Sequence, residues 1–322
     1  MSLCINTTTP EGMVLAADSR QSYRNMKGMS RIGSDSATKV FQLGKKVGVV
    51  VAGLAFLPEN GVLKNVSRFI EEFKKHADIR KLSIEEISKK LQDFFEEKYN
   101  YKEGLKKLPD QIRADLERQG CKDIEIKQEK GAVKFKFKNP KGIEEERMAH
   151  VDQLQFIVSG FNSDDSHQAF KVSVPGDVEM LRNSTQKGKE YGASWIGQTD
   201  VLTRIVLGFD PRMGNLPMLQ EATQKFTEQG VKQQLGALEY NIQWGTMTLQ
   251  DGIDFSVLSI ETTNAIQRFS DGILLDPGDM PGVGGPVDVA VITPEKGFTW
   301  VAKKNLVVGN KEIDLQSIKD VE

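Results

Sequence analysis

The chain has 322 residues, with 43 Lys and Arg against 45 Asp and Glu and a formal net charge of −2. That balance argues against a dedicated nucleic-acid binder, which carries a basic excess or stripe, and 39% hydrophobic with 27% charged residues excludes wholesale disorder. Two cysteines, Cys4 and Cys121, without a CxxC pair, exclude a disulfide framework or a cysteine-rich zinc site and fit a reducing compartment.

A chain of this length can bury a full core without staples. His76, His150 and His167 lack HxH or HxxxH spacing, so each is expected on a surface or loop rather than on a metal. No apolar run approaches the roughly 18 to 20 residues that span a bilayer. The stretch from Met1 to Thr7 has neither a basic start nor a long apolar run and does not read as a signal peptide. The expectation is a soluble, cytoplasmic protein that binds neither nucleic acid nor membrane.

The first fifty residues read as β structure. Leu3 and Ile5 alternate with polar neighbours, the turn Pro10-Glu11-Gly12 follows, and Met13-Val14-Leu15-Ala16-Ala17 runs up to Asp18, which predicts a hairpin. A polar stretch from Ser19 to Ser36 precedes Lys39 to Leu43 and Val47 to Gly53, joined by Gly44-Lys45-Lys46 as a second hairpin. Val62, Val66, Phe69, Ile70 and Phe73 recur at helical spacing. Ser83 with Glu86 forms a capping box ahead of Ile84, Ile87, Leu91, Phe94 and Phe95. Two helices with one apolar face each should cover a sheet.

Residues 105–146 differ in character. A charged helix is expected from Pro109 to Arg118, ending at Gly120. Ile124 and Ile126 then face Val133, Phe135 and Phe137 across a turn, with Lys134, Lys136 and Lys138 on a solvated face. This segment reads as an insertion or lid. Strands are expected at Leu154 to Val158 and Phe170 to Val174, and helices near Asp200 to Leu207, Met218 to Gln229 and Phe255 to Phe269. Strands at Pro286 to Ile292 and Phe298 to Val301 close the chain.

Familiar catalytic motifs are missing: there is no GxSxG, HExxH or GxxxxGK[ST]. Gly282-Val283-Gly284-Gly285 precedes a strand rather than opening a helix, so it reads as a tight turn and not a phosphate cradle. What remains is Ser2. A small second residue permits removal of Met1, which would leave a hydroxyl beside its own α-amine. That amine titrates near pH ~7.7–8.0 and can act as a base without histidine. Serine after methionine is also common for processing alone.

The surroundings of Ser2 carry more information. Glu11 to Arg20, Ala37 to Phe41 and Val47 to Gly53, with Gly284-Gly285-Pro286 to Ile292 near the other end, resemble proteasome β-type subunits and their bacterial and archaeal relatives, which are N-terminal-nucleophile hydrolases. Order and spacing agree, and Asp18 lies sixteen positions after Ser2.

The resemblance implies an α+β fold, a four-layer αββα sandwich, as a single domain over residues 1–322 with residues 105–146 inserted. It implies Ser2 as nucleophile with its freed amine as proton acceptor, Lys39 as a buried cation that activates them, and Asp18 as the group holding that lysine. The Gly53 N–H would donate to the oxyanion. Asp279 is the nearest acid to the glycine pair. Serine stands where the family usually has threonine, Gly197-Gln198-Thr199 falls on its central Gly-Ser-Gly, and Val283 stands where a second helper serine is expected.

The implied reaction is amide hydrolysis on a peptide or protein through an acyl-enzyme, with no cofactor and no metal, in a homo-oligomeric ring or spiral. Two alternatives share the resemblance: a non-catalytic ring or scaffold subunit, and a ligase-like variant that passes the acyl group to an amine.

Overall fold

A computed structural model of the chain describes residues 2–24, 29–129, 131–273, 276–277, 280–308 and 311–313. Apolar alternation and short turns shape its start: β1 (Leu3–Thr9) and β2 (Gly12–Ala17) form one antiparallel hairpin, β3 (Val40–Gly44) and β4 (Val47–Gly53) another. The polar stretch between them carries a two-stranded ribbon, Gln21–Arg24 with Ser30–Ser34.

Helix α1 (Val66–His76) starts later than the apolar spacing suggests. Val62 is exposed and belongs to a short ribbon strand, because Asn65 caps the helix: its side chain accepts the Ser67 N–H at 2.9 Å. Helix α2 (Ile84–Lys98) begins at the expected capping box. Ser83 Oγ accepts the Glu86 N–H at 3.2 Å, and Glu86 Oε2 accepts the Ser83 N–H at 2.8 Å.

Helix α3 (Tyr101–Arg118) starts eight residues before Pro109 and runs through it. Leu105, Ile112 and Leu116 keep a single apolar face across the proline, which offsets the hydrogen bond Pro109 is unable to donate. Three strands follow, β5 (Lys122–Glu129), β6 (Ala132–Lys138) and β7 (Glu144–His150), in the order β7-β6-β5. They enclose a small cluster of Leu116, Cys121 and Phe137 with α3. The expected hairpin is therefore two strands of a three-stranded sheet. Its lysine row is engaged within the sheet: Lys134 and Lys136 share Glu146, and Lys138 pairs with Asp123.

Next come β8 (Leu154–Phe161), β9 (His167–Val174), β10 (Val178–Asn183), β11 (Gly192–Gly197) and α4 (Asp200–Leu207). The helix expected near Met218 to Gln229 is two, α5 (Pro217–Phe226) and α6 (Glu228–Gly236). Helix α7 (Leu249–Phe269) is capped by Thr248 and Asp251, and β12 (Asp288–Thr293) pairs with β13 (Gly297–Ala302).

The fold is thus mixed α/β with several sheets. Two five-stranded antiparallel sheets dominate, ordered β11-β1-β2-β12-β13 and β10-β9-β8-β4-β3. Three apolar clusters alternate with them. Cys4, Met13, Leu15, Ile292, Val50 and Ile157 fill one cluster drawn from both sheets. Phe69, Phe73, Leu91, Phe95 and Phe156 join α1 and α2 to the second sheet. Leu3, Ile5, Leu202, Ile260 and Val291 join α4 and α7 to the first. Phe156 is fully buried, its ring 4.7 Å from that of Phe95; truncation there to alanine costs about 3–5 kcal/mol. Among the described residues no helix is long and apolar enough to cross a membrane.

Candidate active site

The register of the first sheet gathers functional groups at one end. Leu3 lies opposite Gly197, Cys4 opposite Ala17, Asp288 opposite Ala17, and Val289 opposite Ala302. Ser2 and Asp18 therefore sit just past the ends of adjacent strands, β1 and β2, with Asp288 opening the next strand and Lys304 just beyond the last.

Asp18 is the hub. It is fully buried, and four donors converge on its carboxylate. Oδ1 accepts the Leu3 N–H at 3.0 Å and Lys39 Nζ at 2.7 Å. Oδ2 accepts the Arg20 N–H at 3.1 Å and the Gly284 N–H at 3.0 Å. Lys39 is also buried, and its Nζ donates to the Arg20 carbonyl at 2.6 Å as well. A buried pair of this kind contributes little net stability compared with an apolar pair, but loss of one partner strands a charge out of water.

Ser2, Lys39 and Gly53 line one cleft, walled further by Ala37, Thr38, Ala52, Ala55 and Val66. Among the described residues no acidic side chain lines it; Asp18 lies behind Lys39. Arg20, at the rim, is held by Asp35 at 2.7 and 3.0 Å and reaches the Pro281 carbonyl. The Arg20 guanidinium keeps the Asp35 carboxyl below its ordinary range, against the smaller opposing effect of partial burial.

Backbone geometry at two glycines brings chain segments into close approach. Gly53 has φ +98°, and a Cβ there would stand 2.0 Å from the Gln153 carbonyl oxygen. Gly197 has φ +94°, and a Cβ would stand 2.0 Å from the Ser2 carbonyl oxygen. That carbonyl accepts the Gln198 N–H at 2.6 Å. Only glycine permits both contacts without strain.

The structure brings Ser2, Asp18, Lys39 and Gly53 together, while Asp279 lies outside the described residues. Of the three histidines, His167 is buried rather than exposed, its Nε2 2.8 Å from the Glu190 carbonyl.

Three neighbouring arrangements are not visible in the sequence. Buried Asp288 and partly buried Lys304 form a second ion pair, and the Lys304 N–H also donates to Asp288 at 3.0 Å. Burial holds the Lys304 ammonium below its ordinary pKa; Asp288 opposes that shift, and the Lys39 charge adds to it. Gln267, on α7, joins Gln198 to the 282–284 turn. Cys4 follows the nucleophile candidate by two positions; its Sγ donates to the Val51 carbonyl at 3.2 Å, and burial pushes its thiol up to about 12. A thiol so protonated is inert.

The chain matches no family model and no curated protein.

Proposed function

We propose that this protein is an N-terminal-nucleophile hydrolase acting on peptide amide bonds, with Ser2 as nucleophile once Met1 is removed. The observation that carries the reading is the buried Asp18–Lys39 pair at the base of the cleft lined by Ser2. A lysine held in position by a buried carboxylate that accepts from four donors is an electrostatic device. Structure alone would not require a buried cation at that spot.

The chemistry follows from the groups present. Ser2 Oγ attacks the amide carbonyl while the α-amine takes the hydroxyl proton. The oxyanion is met by the Gly53 N–H, a donor of a kind worth about 3–4 kcal/mol in the transition state. The C–N bond breaks as the α-ammonium returns its proton to the leaving amine, leaving an ester on Ser2. Water then attacks the ester, its proton passes to the α-amine, and Ser2 Oγ leaves as the hydroxyl. A Lys39 ammonium beside the site favours the neutral amine and the developing alkoxide, and Asp18 holds Lys39 in place. No metal or organic cofactor takes part in this scheme.

The same reading takes the whole chain as a four-layer αββα sandwich. Its support is the alternation of three apolar clusters with two antiparallel sheets, and helices against each outer face. Residues 105–146 are then an inserted lid, and the working form is a cytoplasmic homo-oligomer. Replacement of Ser2 by alanine tests the reading on a mixed peptide library. Turnover should vanish while assembly and the unfolding midpoint persist. Undiminished turnover in that variant would refute the assignment, and amide products formed with an added amine would convert it to acyl transfer.

A further inference from the structure

Gln198 and Gln267 are separated by 69 positions, yet their side chains meet: Gln267 Nε2 donates to Gln198 Oε1 at 2.8 Å. The other end of the Gln267 amide is committed elsewhere. Its Oε1 accepts the Gly282 N–H at 3.0 Å and the Val283 N–H at 2.9 Å. Two N–H donors at one end fix the amide's direction, because a flipped amide would set its NH2 against them.

These bonds close a circuit around Ser2. The Gln198 N–H holds the Ser2 carbonyl, Gln198 Oε1 meets Gln267, and Gln267 holds the 282–283 turn. One residue on, the Gly284 N–H donates to Asp18, and Asp18 binds the Leu3 N–H and Lys39. Val283 is fully buried and packs with the cluster beneath α7, so the turn is not free to drift. Anchoring that turn needs only the two acceptor contacts of Gln267. The third bond ties that anchor to the side chain of the residue whose own N–H holds Ser2.

We infer that Gln198 and Gln267 are positioning residues: an amide relay that locks the Ser2 carbonyl to the turn carrying the Asp18 contact, so that nucleophile and Lys39–Asp18 pair keep one geometry. The inference rests on the hydrolase reading. It makes the two glutamines a functional pair at the position where the resemblance leads one to expect a serine hydroxyl.

The test is the second-order rate at which a β-lactone acylates Ser2 in the full chain, with KM and kcat measured on any peptide the enzyme turns over. Gln267→Met removes all three contacts at similar length, and Gln198→Met removes the side-chain bond to Gln267 while its own N–H still holds Ser2. Both should slow acylation about tenfold to a hundredfold, the scale set by misplacing a reacting group by about 1 Å, with kcat falling and KM unchanged. Gln267→Glu keeps acceptors for the Gly282 and Val283 N–H groups, and the Gln198 amide can turn its NH2 toward the carboxylate, so this variant should keep most of the rate. Acylation of Gln198→Met at the wild-type rate, or a loss in Gln267→Glu as large as in Gln267→Met, would overturn the relay while leaving the hydrolase reading intact. A wild-type chain that takes no lactone would overturn both.

Discussion

Replacing Asp18 by asparagine changes one atom and should damage both stability and chemistry. The carboxylate is fully buried and accepts from Leu3, Lys39, Arg20 and Gly284. An asparagine offers a single acceptor oxygen, and its NH2 would face donors on the other side. Lys39, itself buried, loses its only carboxylate at hydrogen-bond distance among the described residues. Breaking a buried pair by removing one partner costs about 3–5 kcal/mol, and that range already contains the backbone donors left unmet, each worth about 1–3 kcal/mol if isolated. The measurement is a urea titration of wild type, Asp18→Asn, Lys39→Met and the double variant. Asp18→Asn should fall within the stated range, and the double variant should be more stable than Asp18→Asn, because no stranded ammonium remains. Lactone acylation of Ser2 should be lost in all three variants. An Asp18→Asn protein with wild-type midpoint and wild-type acylation would refute the view of Asp18 as the organising group.

Cys4, its thiol pushed up to about 12 by burial, should resist alkylation in the native protein near pH ~8 and react freely in denaturant, where the thiol returns to about 8.5; native alkylation with intact activity would contradict the burial. Lys304 has a folded-state pKa below its unfolded value of about 10.4, so the unfolded chain binds more protons in the window between the two, and stability gains from this group as pH rises through that window. Lys304→Met should abolish that alkaline gain in urea midpoints, and parallel slopes for the two proteins would show that the ammonium is not buried as described. Gly197→Ala should cost about 1–3 kcal/mol for the forced backbone strain and slow Ser2 acylation, since its Cβ would displace the Ser2 carbonyl; unchanged acylation would sink the role of that close approach.

Much of the fold was legible because its signals are local. The turns at Pro10-Glu11-Gly12 and Gly44-Lys45-Lys46 separate apolar runs at strand spacing, and both hairpins form. The Ser83–Glu86 capping box marks its helix directly. Helix α1 was misread at its start because Val62 fits the apolar period, while the deciding signal, the Asn65 cap, is one polar side chain. Pro109 suggested a first-turn position, yet an apolar face continuing on both sides of it sets the true start at Tyr101.

At the candidate site, the resemblance in spacing singles out Ser2, Asp18, Lys39 and Gly53, of which three line one cleft and Asp18 pairs with Lys39. The Asp288–Lys304 pair and the Gln198–Gln267 contact were not legible in the sequence. Their members lie on different elements, and only strand register or helix packing brings them together. Glutamine at 198 carries no catalytic expectation by residue type, and Lys304 is one of many lysines until its burial is known.

The most direct test of the central claim is the intact mass of the purified protein before and after exposure to a β-lactone, followed by peptide mapping. The account predicts a chain that lacks Met1 and takes a single adduct on Ser2. A chain that retains Met1 and takes no adduct would contradict it, and the buried charges behind the cleft would then belong to a scaffold.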